Sequence, residues 1–335
     1  MPIVLASLLA LGGWIVPWQR DPGLAVVERS HGNIADVLIF AARLDETGQP
    51  VLDGGPAAWT SAVERIHAAG AHAWLTVVND RVGGASPVLK DADIVQRVLA
   101  DPESRSKHGA AIVALARTLR VDGIDLDYEN LPAAEKNPFT AFVETISRGA
   151  REAGLLLSVT VQPKRGETSS SGPGAADWPR LCGLADRLQV MLYNEHNAST
   201  GPGPVSSPDW IAGIVDYALR SCPAEKVVPV LKVSGMDWGP GKAEWRSFSE
   251  VSSTRDKVRP RVRRERGSKV PWFSYTDAGG RHVVYFEDAR SVEAKAAALR
   301  DRGLATVVLW SLGAEDPESI PRLAETLRSG SPQKR

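Results

Sequence analysis

Short apolar runs recur along the chain with amphipathic helical segments between them, and this alternation narrows the fold more than any other feature. Eight runs are read, at Trp14 to Trp18, Asp36 to Ala41, His72 to Val78, Gly123 to Glu129, Leu155 to Val161, Leu188 to Asn194, Val227 to Val233 and Thr306 to Ser311. Between them, stretches such as Ala57 to Ala69, Ala110 to Leu119, Pro138 to Ala153, Pro208 to Ser221 and Ser291 to Arg302 place apolar residues at three- and four-residue spacing, as a helix with one buried face requires. A strand–helix unit repeated in this way predicts an α/β protein, a closed (β/α)8 TIM barrel. A doubly wound open sheet is the competing architecture. It usually carries a glycine-rich phosphate loop after its first strand, and neither Gly-x-Gly-x-x-Gly nor Gly-x-x-x-x-Gly-Lys occurs.

The 335 residues exceed a bare barrel of roughly 250. The surplus lies mainly between the seventh and eighth runs, where about 239–287 is too long for a bare loop and must carry structure of its own. Its second half reads as a β-hairpin, Val270 to Tyr275 and Arg281 to Phe286 around a turn at Thr276 to Gly280. Its first half holds Arg255, Lys257, Arg259, Arg261, Arg263, Arg264, Arg266 and Lys269. A solvated subdomain surface and an electrostatic contact with an anionic polymer both account for that run. The expected organisation is a lead-in over 1–12, a barrel over 13–328 interrupted by the 239–287 insertion, and a polar tail over 329–335. Thr168 to Gly174 is expected to be a flexible loop. Residues 2–11 resemble the apolar core of a signal peptide, but no Lys or Arg precedes them, and a simple apolar lead-in fits equally. Gly12, Gly13 and Pro17 interrupt the run, so no membrane span is predicted.

Composition excludes more than it assigns. Forty basic and forty acidic residues cancel, so nothing draws the chain to nucleic acid or an anionic membrane. Ten Trp against five Tyr and six Phe supply either stacking platforms or core filling. Cys182 and Cys222 show no metal-ligand spacing and read as two small buried apolar side chains, with a bridge between neighbouring helices as the alternative for an exported protein. No Gly-x-Ser-x-Gly or His-Glu-x-x-His anchors a serine hydrolase or a zinc protease.

The fourth run carries the chemistry. In an extended strand Asp125, Asp127 and Glu129 share one face, and Ile124, Leu126 and Tyr128 the other. Like carboxylates held together repel, and burying them is costly unless protons are shared, so packing alone would not select this face. In a barrel the site lies at the C-terminal mouth, which places Glu129 at the rim with Asp127 and Asp125 successively deeper. A gradient from buried to half-wet raises at least one carboxyl pKa, as a general acid needs.

Asp122-Gly123-Ile124-Asp125-Leu126-Asp127-Tyr128-Glu129 resembles the Asp-Gly-x-Asp-x-Asp-x-Glu signature of glycoside hydrolase family 18, the chitinase-like barrels. Met191-Leu192-Tyr193-Asn194 resembles the family's Met-x-Tyr-Asp/Asn element, Trp310 its sugar-stacking tryptophan, and the segment before the last strand its α+β insertion. Trp272 to Asp277, Phe286 to Ser291 and Val161 to Lys164 resemble the bacterial spore-cortex-lytic N-acetylglucosaminidase branch.

The resemblance implies a retaining hydrolysis in which the substrate supplies the nucleophile, outside the usual two-carboxylate scheme. Glu129 would protonate the glycosidic oxygen and Asp127 hold the 2-acetamido N–H. Asp125 would share a proton with Asp127, Tyr193 hydrogen-bond the acetamido oxygen, and Trp310 floor the reacting sugar. Met191, Asn194, Gln162, Phe40, Trp18 and Asn79 are further candidates for substrate contact, and His196 follows the Tyr-Asn element. Asn194 stands where many relatives have Asp, which predicts a shifted pH profile. No metal and no cofactor is implied; the implied partner is a polysaccharide containing N-acetylglucosamine, met by a secreted or envelope-bound monomer. A catalytically silent sugar-binding member of the same fold is the reading from another class, and cleavage of N-glycans is an alternative within the enzyme class.

Overall fold

The computed structural model describes residues 10–329. Most of the expected lead-in and the tail beyond Ser329 therefore lie outside the described residues. In chain order the first half comprises β1 (Ala10–Ile15), α1 (Arg20–Arg29), β2 (Ile34–Leu44), β3 (Pro50–Leu52), α2 (Pro56–Ala68), β4 (His72–Arg81), α3 (Ala92–Leu99), α4 (Pro102–Leu119), β5 (Gly123–Asp127) and α5 (Lys136–Glu152). Then follow β6 (Leu156–Val161), α6 (Trp178–Leu184), β7 (Arg187–Met191), α7 (Pro208–Ser221) and β8 (Val227–Lys232). The inserted elements are β9 (Gly235–Gly239), β10 (Lys242–Arg246), α8 (Phe248–Val258), β11 (Arg263–Arg264), β12 (Pro271–Asp277) and β13 (Gly280–Tyr285). The chain closes with α9 (Ala289–Arg300), β14 (Thr306–Trp310) and α10 (Ser319–Arg328).

Strands β1, β2, β4, β5, β6, β7, β8 and β14 lie side by side in parallel, and β1 pairs with both β14 and β2, which closes the barrel. The expected (β/α)8 fold is what the chain builds. Outward residues such as Ile39, Leu75, Ile124, Val159, Leu231 and Leu309 pack under the helices. Inward residues such as Trp14, Leu38, Trp74, Val78, Val230 and Val308 fill the barrel. Burial of both faces is why the strands read as continuous apolar runs. The first run is displaced: the strand ends at Ile15, and Trp18 sits in a 3-10 turn over Pro17–Gln19.

Helix starts are fixed by side chains that satisfy orphan amides. Asp91, Asp101, Asp177 and Ser207 each accept a backbone N–H at the head of α3, α4, α6 and α7, worth ~1 kcal/mol each. The Asp101 cap also explains why α4 begins before the expected Ala110: its first turns are polar, so apolar spacing does not register them.

The insertion forms a five-stranded antiparallel sheet in the order β10-β9-β13-β12-β11, with α8 packed on it around Val251, Phe273, Val284 and Phe286. The expected hairpin is β12–β13, whose Asp277 pairs with Gly280 across a two-residue turn. The sheet begins at Gly235 rather than 239, because β9 pairs with β10 and β13 at once.

Two expectations are corrected. Cys182 and Cys222 are not free: they form a disulfide joining α6 to the end of α7, with Cα atoms 5.7 Å apart. Side-by-side packing of the two helices brings the buried thiols within bridging range. The segment Thr168 to Gly174 is tied down rather than loose, with Gly172 N–H donating to the Leu131 carbonyl at 2.7 Å and Gly174 N–H to that of Ser170 at 2.9 Å. Glu167 just before it gathers Lys136, Lys164 and the Tyr217 hydroxyl, whose hydrogen bonds hold its carboxyl down at about 2.

Candidate active site

Each residue of the fourth barrel strand has a distinct task. Asp122 accepts the Ala73 N–H at 2.8 Å and lies 2.9 Å from His67 Nε2, fixing β5 against the start of β4. Gly123 leaves room for the Trp74 indole, which a Cβ there would approach to 2.3 Å. Tyr128 points outward, stacks on Phe142 and shares a 2.5 Å hydrogen bond with His108. Asp125 and Asp127 point inward, one layer apart.

Asp125 is fully buried and well bonded. Thr160 Oγ1 and Gln189 Nε2 both donate to its Oδ1 at 2.8 Å, and Thr76 Oγ1 donates to Oδ2 at 3.1 Å while accepting Trp14 Nε1 at 2.9 Å. Burial raises its pKa from 3.8 to about 6, against the pull of these donors. Asp127 is buried too, but its Oδ1 has no hydrogen-bond partner among the described residues. Burial pushes its pKa well above the ordinary value, with Lys90 opposing and Glu129 and Asp125 reinforcing the rise.

Glu129 does not continue the strand, which ends at Asp127. It is held instead by Asn79, whose Oδ1 accepts the Glu129 N–H at 3.0 Å and whose Nδ2 donates to the Glu129 carbonyl at 2.9 Å. The Glu129 carboxylate meets Lys90 Nζ at 2.7 Å. Lys90 is itself positioned: it has φ 53, its N–H donates to Asp80 at 2.9 Å, and the neighbouring Asp91 is bonded to Arg81 at 2.6 Å.

Other strands supply the walls. Phe40 and Trp310 meet edge-to-face with centroids 4.9 Å apart, Trp14 lies 5.7 Å from Trp310, and Trp18 leans on Phe40 at 6.2 Å. The Trp310–Ser311 peptide is cis. Met191 and Tyr193 lie buried in the barrel interior. Burial raises the Tyr193 phenol well above its ordinary pKa, and the Glu129, Asp127 and Asp125 carboxylates add to the rise.

Asp125, Asp127, Glu129, Tyr193, Trp310, Phe40 and Met191 thus converge at the C-terminal mouth. The remaining candidates are placed differently. Asn79 is fully buried beneath Glu129 with both ends of its amide used, so it fixes the acid's backbone instead of facing the cleft. Gln162 exchanges hydrogen bonds with Asn130, and Gly172 leaves space for its amide, which a Cβ would strike at 1.8 Å. Asn194 is exposed with φ 75, a left-handed turn that Asn tolerates and that carries it out of the barrel interior. His196 Nδ1 is engaged with the Pro204 carbonyl at 2.9 Å. Trp18 is 63% exposed at the rim.

Lys90, Lys232 and Trp245 also line the mouth and were not foreseen. Lys232 had a readable signal, a charged inward position at the end of an otherwise apolar run. Lys90 and Trp245 had none, since a loop and an insertion place them. Among the described residues no helix is long and apolar enough to cross a membrane.

The model of glycosyl hydrolases family 18 matches residues 82–315. The uncharacterized glycosylase YvbX of Bacillus subtilis is 25% identical over 232 residues, 67% of this chain and 67% of that protein. The cortical fragment-lytic enzyme of the same organism is 29% identical over 220 residues, 62% of this chain but 50% of its own, so the chain spans about half the length of that relative. A chitinase from Chromobacterium violaceum superposes with TM-score 0.83 at 27% identity, covering 97% of this chain and 99% of that one. The Bacillus cereus spore cortex-lytic enzyme SleL has the same fold, with TM-score 0.84 at 19% identity over 95% of this chain and 74% of its own. The chain belongs to glycosyl hydrolases family 18, and is a glycoside hydrolase of the chitinase-like kind.

Proposed function

We propose that the protein hydrolyses β-1,4 bonds following N-acetylglucosamine in peptidoglycan or chitin-type polysaccharide, with retention and with the substrate's 2-acetamido group as nucleophile. The observation that carries this reading is the inward ladder of Asp125, Asp127 and Glu129, graded from full burial to the rim. Glu129 gives its proton to the glycosidic oxygen as that oxygen leaves the anomeric carbon, and the acetamido carbonyl oxygen bonds to that carbon, forming an oxazolinium ion. Glu129 then takes a proton from the water that reopens the ring. Lys90 Nζ, 2.7 Å from the Glu129 carboxyl, holds it at the cleft, and this pair opens as the glycosidic oxygen comes within reach.

Asp127 Oδ1, buried and without a hydrogen-bond partner among the described residues, is suited to accept the acetamido N–H. With both buried aspartates raised, the Asp125–Asp127 pair keeps a proton near neutrality. Tyr193 donates to the acetamido oxygen and Trp310 floors the sugar. The Cys182–Cys222 bridge favours an oxidising compartment, in keeping with an extracellular or wall polymer.

Purified protein should release reducing ends from N-acetylglucosamine oligomers, and Glu129→Gln should lower kcat ~10²-fold or more in a variant that circular dichroism shows to be folded. De-N-acetylated oligomers should resist cleavage. Undiminished activity in the variant would remove Glu129 from the acid's role, and efficient cleavage of the de-N-acetylated oligomers would rule out the acetamido nucleophile.

A further inference from the structure

Lys232 ends β8, in register with Trp310 of β14, so its side chain points into the barrel mouth beside the aromatic floor. Its ammonium lies 2.8 Å from the Trp245 ring centroid and 5.6 Å from that of Tyr193. Trp245 comes from β10, so the inserted sheet covers this lysine from above. Lys232 is 7% exposed and, among the described residues, makes no hydrogen bond or ion pair.

The other buried lysines are satisfied. Lys295 lies 2.6 Å from Glu287, and Lys164 meets the Ala176 carbonyl at 2.6 Å and Glu167 at 3.1 Å. The charge of Glu129 acts on Lys232, but the Glu129 Oε1 is already engaged by Lys90. A buried ammonium without a counter-charge costs several kcal/mol. Packing alone would be served better here by Met or Leu.

We propose that Lys232 determines specificity by receiving a carboxylate on the sugar adjacent to the N-acetylglucosamine at the cleavage point, so that the preferred substrate is an acidic glycan. This rests on the reaction assigned above. The carboxylate supplies the missing counter-ion within the cover of Trp245, where water is partly excluded and a charge-assisted bond is strong. Burial presses the Lys232 pKa well below its ordinary value and Glu129 pulls it back, so a carboxylate placed beside Lys232 favours its charged form. A neutral chitin strand offers no such group. A lactyl ether carboxylate and a uronic acid carboxylate both have the required chemistry.

The test measures kcat/KM of the full chain on alternating strands of N-acetylglucosamine and N-acetylmuramic acid, with the lactyl carboxyls free or converted to amides. Strands alternating with glucuronic acid, free and amidated, form a parallel pair. Preference of about 10-fold or more for a free acid over its amide is expected in at least one pair, and the pair that shows it identifies the source of the carboxylate. In Lys232→Met this ratio should fall to near one, and Lys232→Arg should restore part of it. Equal rates on free and amidated strands in both pairs would overturn the proposal without any variant, and so would a preference that survives in Lys232→Met. Failure to cleave any strand or neutral oligomer would instead overturn the assigned reaction, and this proposal with it.

Discussion

Asp125 shows what the site costs the fold. Its pKa rises from the ordinary 3.8 to about 6, chiefly through burial. Below about pH 3.8 the carboxyl is protonated in both folded and unfolded chains and no penalty arises. As pH climbs to about 6 the unfolded chain releases this proton while the folded one keeps it, so stability is lost and then levels off. At ~1.4 kcal/mol per pH unit the loss comes to ~3 kcal/mol. Asp125→Asn keeps acceptance from Thr160 and Gln189 but cannot ionise. Urea unfolding should therefore show the variant gaining on the wild type between pH 4 and pH 7, by up to ~3 kcal/mol, while activity falls. A gap independent of pH would show that burial of this carboxyl is not what is felt. The three acids were legible because neighbours on one strand face need no tertiary knowledge. Lys90 was not, since only the Asp80 and Asp91 anchors of its loop bring it to Glu129.

Among elements, the α6–α7 pair is tied covalently, and the tie spans 40 residues that include all of β7. Constraining the unfolded chain by a loop of that length is worth ~3–4 kcal/mol on the chain-entropy account. Cys182→Ala combined with Cys222→Ala should lower the unfolding free energy by about that amount in guanidinium, and thiol reductant should do the same to the wild type but nothing to the variant. A loss below ~1 kcal/mol would show that helix packing holds the pair unaided. The helices themselves were readable from apolar spacing. The bridge was not, because whether two buried cysteines face one another depends on how α6 and α7 sit. The insertion divides in the same way: β12–β13 announced itself by alternation and its turn, whereas β9 joins the sheet only through partners on both sides.

At the scale of the whole barrel, closure is secured at the end away from the site. Asp36 on β2 accepts Trp74 Nε1 and Arg187 Nη1, each at 2.8 Å, and Arg187 lies over the Trp74 ring at 4.7 Å. This ion pair links residues 151 apart in sequence, and no local pattern announces it. Burial would raise the Asp36 pKa, but His72, Arg187 and Trp74 together hold it below the ordinary value, so the carboxylate stays charged inside the barrel. A buried pair contributes little over an apolar replacement, yet breaking one side strands the other charge at ~3–5 kcal/mol. Arg187→Met, which keeps much of the stem over Trp74, should therefore lower the urea unfolding free energy by ~3–5 kcal/mol. Adding Asp36→Asn should recover most of that loss, because no uncompensated charge remains. Hydrolysis well below the melting temperature should be unaffected in the double variant, since Asp36 and Arg187 sit at the opposite ends of their strands from Phe40 and Met191. If the two losses simply add, the pair is not coupled, and the barrel is closed by its hydrogen-bonded strands and apolar layers alone.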